Sequence, residues 1–449
     1  MIDTVIRGGM IVAPEGLARA DVGIADGVIA ELGPDLAGGR TEIDARGLHV
    51  FPGLIDVHVH FNEPGHESWE GAATGSRALA AGGGTLFFDM PLNSIPCTLN
   101  AAAFDRKRQA LAAASITDFA LWGGLTPASL DHMEELAARG VVGFKAFMCG
   151  SGLAEFSRAD DATLLAGMEI AAPAGLPVAV HAESETITSA LARQHGVATP
   201  SAFLASRPLE AELEAIRRVL EMARATGARL HIVHVSSGAG VALAAEARAQ
   251  GVDVSIETCP HYLAFTAADL EALGTTVKCA PPLRDGDEQA ALWDAVRSGT
   301  LDVIGSDHSP AEPAMKQCGF GEAWGGVAGV QSTFAVLLDR GYHRRGLPLP
   351  RVTSLLAANP AARFDIPNKG ILRTGYDADV TLVALDETAT LRPANLLQRH
   401  AISPYIGQTF RGVVRRTIRR GETIVEDGRI VSSTRGQFVR PGPAGPHQH

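Results

Sequence analysis

Leu54-Ile55-Asp56-Val57-His58-Val59-His60-Phe61 is the stretch on which the reading of this chain turns. As a β-strand its side chains alternate faces, so Ile55, Val57 and Val59 point one way while Asp56, His58 and His60 point the other. Two imidazoles two residues apart on one face can hold a single metal ion. Taken alone, the pair is more simply a half-buried strand with two hydrogen-bonded histidines. The balance shifts because four further residues of ligand type, Lys145, His181, His234 and Asp307, each end an apolar run of their own.

Eight such runs alternate with helix-like segments between 51 and 365: 54–60, 85–89, 118–122, 141–145, 177–181, 230–234, 252–257 and 301–307. The clearest helix covers 209–226, where Leu213, Ile216, Leu220 and Ala223 recur at helical spacing. Eight strands, each followed by a helical return, predict an α/β fold, a (β/α)8 TIM barrel whose active site lies at the C-terminal strand ends. A doubly wound sheet is the alternative, but no Gly-x-Gly-x-x-Gly turn follows an early strand. Residues 1–50 and 366–439 instead read as short strands and turns. Arg7-Gly-Gly-Met-Ile-Val near one end echoes Arg420-Gly-Glu-Thr-Ile-Val near the other. Both ends are therefore expected to build one small β-sandwich domain, with the 51–365 barrel inserted into it. The Pro/Gly-rich tail 440–449 is expected to be disordered.

At 449 residues the chain exceeds what one hydrophobic core usually holds. Its 46% hydrophobic and 20% charged residues are those of a globular protein. A net charge of −11 leaves no broad basic surface, which argues against nucleic acid or an anionic membrane as partner. Cys97, Cys149, Cys259, Cys279 and Cys318 are widely spaced with no CxxC pair, so they fit a reducing compartment rather than a disulfide framework. No secretion signal and no apolar run of about 18 residues is present, and a cytoplasmic location is expected.

On the barrel, His58 and His60 close the first strand, Lys145 the fourth, His181 the fifth, His234 the sixth and Asp307 the eighth. Six groups on one rim make a candidate metal centre. As an ammonium, Lys145 cannot ligate a cation, but burial and nearby cations lower a lysine pKa. A neutral amine can add carbon dioxide to give an anionic carbamate, whose two oxygens can bridge two ions. Metal binding lowers the pKa of a water from 15.7 towards about 7. Two divalent ions are expected; zinc suits the ligand set best, with manganese, cobalt or iron as alternatives. Asp56 is read as a hydrogen-bonding partner of the same set.

The set resembles that of the cyclic amidohydrolases of the urease-like superfamily, which comprise dihydroorotases, hydantoinases or dihydropyrimidinases, and allantoinases. The resemblance covers essentially the whole chain and is strongest to the allantoinase branch, through His58-Val-His-Phe-Asn-Glu-Pro-Gly65, Asp89-Met-Pro-Leu-Asn-Ser94, Gly143-Phe-Lys-Ala-Phe-Met148, Cys259-Pro-His-Tyr262, Lys278-Cys-Ala-Pro-Pro-Leu-Arg284 and Ser306-Asp-His-Ser-Pro310. It implies that His58, His60 and Asp307 hold one metal, that His181 and His234 hold the other, and that N6-carboxylated Lys145 bridges them. It also implies that Asp307 is catalytic, taking a proton from the attacking hydroxide and returning it to the leaving amide nitrogen, so that a cyclic amide is hydrolysed.

Dihydroorotases typically carry arginine where this chain has Asn62. Without that cation a carboxylated ring loses a bidentate anchor, whereas an amide can hydrogen-bond a neutral ureido group. The expected small-molecule substrate is allantoin, opened to allantoate, with a simpler hydantoin or dihydropyrimidine as the alternative. Backbone groups near Cys279, Ala280 and Gly326 are expected to bind the ring amide. His66, Cys97 and Ala280 depart from the family pattern. A homo-oligomer, by resemblance a tetramer, is expected. A non-catalytic assembly scaffold is the rival from another class, and the six filled ligand positions weigh against it.

Overall fold

A computed structural model describes residues 1–442. Its strands in chain order are β1 (Thr4–Ala13), β2 (Gly16–Ala25), β3 (Val28–Gly33), β4 (Thr41–Asp44), β5 (His49–Pro52), β6 (Leu54–Val59), β7 (Gly84–Asp89), β8 (Asp118–Leu121), β9 (Gly123–Gly124), β10 (Phe144–Phe147), β11 (Val178–His181), β12 (Leu230–Ile232), β13 (Val254–Thr258), β14 (Val303–Ile304), β15 (Val380–Thr390), β16 (Thr409–Arg419), β17 (Glu422–Glu426) and β18 (Arg429–Ile430).

The strands nearest the two chain ends share one nine-stranded sheet, in the order β18-β17-β16-β15-β5-β1-β2-β3 with β4 beside β1. The join is β5, parallel to β1 through Met10 and His49 and antiparallel to β15 through Val380 and Pro52. Ile6, Val22, Ile24, Val50, Val380 and Ile418 bury their side chains together as a cluster separate from the main core.

Between β5 and β15 the strands are parallel. β6, β7 and β8 form one sheet, and β9 to β14 follow one another in the next. β8 and β9 flank Trp122, whose indole N–H donates to the Val57 carbonyl at 2.9 Å, so one chain segment serves both sheets. At the opposite ends, the His60 N–H donates to the His308 carbonyl at 2.8 Å and Val59 forms a parallel bridge with His308. Leu54 to Val59 are all buried, as is usual for a parallel strand covered on both faces. The 209–226 helix forms as its spacing predicts; Ile216, Leu220 and Ala223 are buried, and Gly227 in the left-handed region (φ 67°) ends it.

Three strands depart most from the sequence reading; the sixth ends at Ile232 rather than 234, so His234 lies just past it instead of closing it. The fourth begins at Phe144 rather than 141, because Gly140 at φ 89° caps the preceding helix and the Val141 N–H still bonds to the Leu136 carbonyl. Lys145 is therefore the second residue of β10, not its end. The eighth is Val303–Ile304 rather than 301–307, since the Leu301 N–H returns to Ala295 of the helix before it and Asp307 turns to φ 44°. The tail read as loose from 440 is held at its start: Arg440 donates to the Ala138 carbonyl and the Gly442 N–H to Asp365. The rest of that tail lies outside the described residues. No helix among the described residues is long and apolar enough to cross a membrane.

Candidate metal centre

His58 lies within β6 and His60 just past it; His181 is the last residue of β11, and His234 and Asp307 follow β12 and β14. His234 and Asp307 both adopt left-handed φ values, 40° and 44°. This backbone region is uncommon for non-glycine residues and is found where a site constrains the chain. Nε2 of His58 and of His60 stand 3.2 and 3.3 Å from the same Asp307 oxygen, Oδ1. Nδ1 of His181 stands 3.0 Å from Nε2 of His234. The His58 and His234 rings are 5.5 Å apart, so the two groups adjoin.

Lys145 is fully buried, its Nζ has no hydrogen-bond partner, and it lies 4.8 Å from the Phe147 ring centre. Burial lowers its pKa to about 8, against the raising pull of Asp307 and Glu257. Burial also pushes the Asp307 carboxyl up, but His58 and His60 outweigh it and hold that carboxyl well below the usual range. Four imidazoles aimed at one another and at a carboxylate, beside an orphaned amine, form a donor set that fits divalent cations.

Buried partners select which ring nitrogen is free. His58 Nδ1 is 2.7 Å from Glu257 Oε1, leaving Nε2 to face Asp307. His181 Nε2 is 2.8 Å from Glu183 Oε2, leaving Nδ1 to face His234. Such carboxylate–imidazole pairs fix tautomer and orientation in metal sites. Glu257 also meets His231 Nε2 at 3.0 Å, and Glu183 pairs with Arg207. Burial raises both carboxyls, but His58 and His231 in one case and Arg207 and His181 in the other bring each down to about 2.

Sequence reasoning missed these partners. Glu183 had a signal, since it stands two residues after His181, at the spacing of His58 and His60; Glu257 had one too, ending its apolar run as the other ligand-type residues do. Arg207 had none. Replacing Glu257 by Gln is expected to weaken metal retention about 10- to 100-fold, measured as metal content after dialysis against graded chelator.

Asp56 does not contact an imidazole. It accepts from the backbone N–H of Ser306 at 3.0 Å and of His58 at 3.2 Å, tying β6 to the segment that carries Asp307. Burial raises its carboxyl to about 6.

A cavity of about 640 Å³ opens over the cluster, lined by His58, His60, His181, His234 and Asp307 together with Ala280, Arg207 and Trp324. A larger groove of about 870 Å³ beside Thr390 and Arg429 holds none of the six ligand-type residues, so the chemistry belongs to the smaller one. Of the four residues expected to meet substrate, Ala280 lines the cavity. Cys279 is buried and off the lining, and so is Gly326, whose carbonyl accepts from Lys316. Asn62 is buried at φ 64°, off the lining, with both amide atoms unpaired.

Parallel strands present imidazoles and a carboxylate at one cavity, a donor set suited to divalent ions that activate water. Residues 49–424 match the amidohydrolase family. The allantoinase of Solibacter usitatus (strain Ellin6076) is 57% identical over 445 residues, covering 98% of this chain and 97% of that protein. The allantoinase of Deinococcus radiodurans is 51% identical over 445 residues, covering 98% and 99%. Among solved structures, L-hydantoinase (dihydropyrimidinase) from Arthrobacter aurescens is 32% identical, with a TM-score of 0.96 and coverage of 98% and 100%. The chain belongs to the amidohydrolase family.

Proposed function

We propose that this enzyme opens the cyclic amide of allantoin to give allantoate at a two-metal centre. The observation that carries the reading is the convergence of His58, His60, His181, His234 and Asp307 on one cavity, with the buried, unpartnered amine of Lys145 close enough to act on the charges of Asp307 and His234, in a chain 57% identical to an allantoinase. His58, His60 and Asp307 would hold one ion, and His181 and His234 the other. Carboxylated Lys145 would lie between them. Zinc is the first choice, with manganese, cobalt or iron as alternatives. When bound, the ions supply hydroxide at neutral pH and polarise the ring carbonyl.

The chain's own residues do the rest. Lys145 Nζ forms a bond to the carbon of carbon dioxide and releases a proton to solvent, leaving an anionic carbamate; its lowered pKa and lack of partners support this. Asp307 takes the proton lost in the attack and passes it to the departing ring nitrogen. Its side chain is 14% exposed, towards the cavity, and it is held ionised, as a base must be. Glu257 and Glu183 keep His58 and His181 turned towards the centre.

The same reading takes 51–365 as a closed (β/α)8 barrel, supported by the Val59–His308 bridge. It takes 1–50 with 366–439 as a small β-sandwich domain, supported by that sheet's own apolar cluster. The tetramer implied by family resemblance belongs to it too and is checked by light scattering.

The test is metal analysis of the purified protein combined with hydrolysis assays. About two metals per chain are expected, and kcat/KM for allantoin should exceed that for hydantoin and dihydrouracil by about tenfold or more. Preference for either of the simpler rings would move the reading to a hydantoinase or dihydropyrimidinase. Protein without metal and without turnover would remove it.

A further inference from the structure

Gly321, Glu322, Ala323, Trp324 and Gly325 line the same cavity as the imidazoles, on a segment that has no regular structure after Lys316. Backbone carbonyls in such a segment have no ladder to satisfy them. Two buried lysines do it instead. Lys278 Nζ donates to the carbonyls of Phe320 at 2.7 Å, Gly321 at 3.3 Å and Ala323 at 2.7 Å. Lys316 Nζ donates to those of Thr275 at 2.8 Å, Trp324 at 2.8 Å and Gly326 at 2.6 Å. Burial lowers the pKa of both amines, to about 7 for Lys316, but each Nζ has three carbonyls within reach, one for every proton it carries when charged.

Among the described residues no carboxylate pairs with either ammonium. Lys278 Nζ instead lies 5.4 and 5.1 Å from the ring centres of Phe203 and Phe320. A buried amine whose hydrogen bonds all go to carbonyls holds those carbonyls in place, because a buried N–H left unpaired costs its desolvation penalty. The hold passes on to the chemistry: Trp324 Nε1 donates to Ser309 Oγ at 3.2 Å, two residues from Asp307, and the Trp324 ring meets the edge of Trp69 at 4.9 Å. Trp69 in turn stacks on His66 at 4.3 Å.

We infer that Lys278 and Lys316 are positioning residues that clamp the 317–326 segment as the substrate wall, fixing where the substituent of a cyclic amide rests while the ring is opened. Lys316 lies off the cavity lining and Lys278 borders it, but the hydrogen bonds of both amines go to backbone carbonyls, so the lysines act through the wall's backbone and through Trp324. The substrate part of this inference rests on the proposed cyclic-amide hydrolysis; the clamp itself does not.

The test uses the metal-loaded enzyme. In Lys278→Met and Lys316→Met, KM for allantoin is expected to rise about tenfold, exceeding any fall in kcat. Chymotryptic cleavage after Phe320 and Trp324 should quicken in both. In the unaltered protein, amide hydrogen exchange across 317–326 should be slower than in exposed loops, a measurement that needs no variant to fold. An unchanged KM, a loss confined to kcat, or wall amides exchanging as fast as exposed loops would each overturn the clamp. Absence of allantoin turnover in the unaltered enzyme would instead refute the function proposed above, while cleavage and exchange would still decide the clamp.

Discussion

Turnover by Asp307→Asn is expected to fall by roughly 10³- to 10⁴-fold. The substitution keeps the shape of the side chain and one oxygen near His58 and His60, which stand 3.2 and 3.3 Å from Oδ1. It removes the capacity to accept a proton, and with it the route from the attacking nucleophile to the departing nitrogen. An amide oxygen is also a weaker ligand than a carboxylate, so metal content should be restored by loading at higher concentration before rates are compared. With the metal restored, kcat and kcat/KM should fall together, the signature of an interaction made only in the transition state. Retention of more than about a tenth of the rate would take Asp307 out of the proton path.

Lys145→Ala is expected to lose both ions and at least about 10³-fold in rate. The cause is charge. Four imidazoles contribute none, so without a carbamate Asp307 is the sole anion among the six ligand-type residues to set against two divalent ions. The buried Nζ with no partner is otherwise an unexplained cost, since an unpaired polar group in a dry interior is destabilising. Its pKa near 8 leaves a useful fraction of free amine at neutral pH. Reconstitution of metal-free enzyme in buffer stripped of carbon dioxide should therefore be slow and should quicken on adding bicarbonate; indifference to both would count against carboxylation.

Much of this site was legible in the sequence because its residues follow a simple periodicity. His58 and His60 alternate with Val57 and Val59, and His181 and His234 end or follow apolar runs, so the strand pattern alone places them on one rim. The partners were harder. Glu257 is 199 positions from His58 along the chain, yet 2.7 Å from it in space, and no local pattern says which acid meets which imidazole. Asp56 misled for the opposite reason: its face was right, but a backbone N–H of Ser306 reaches it first. Strand ends were misplaced at 141 and 301 because buried residues such as Val141 and Leu301 finish helices there. Apolar character reports burial, not backbone conformation. Asn62 and Gly326, expected at the substrate, are not among the residues that line the cavity, and sequence spacing does not encode which residues of a loop reach a surface.

The position of β5 between β1 and β15 sets an order of events during synthesis. β5 leaves the ribosome early, but one of its edges stays open until the chain has run from Pro52 through the whole metal-binding region to Val380. An unpaired edge carrying Val50 and Phe51 is a template for association with other chains. Nascent chains halted before β15 should therefore be the aggregation-prone species, and release of the finished polypeptide, not emergence of the catalytic region, should mark the point at which solubility is secured.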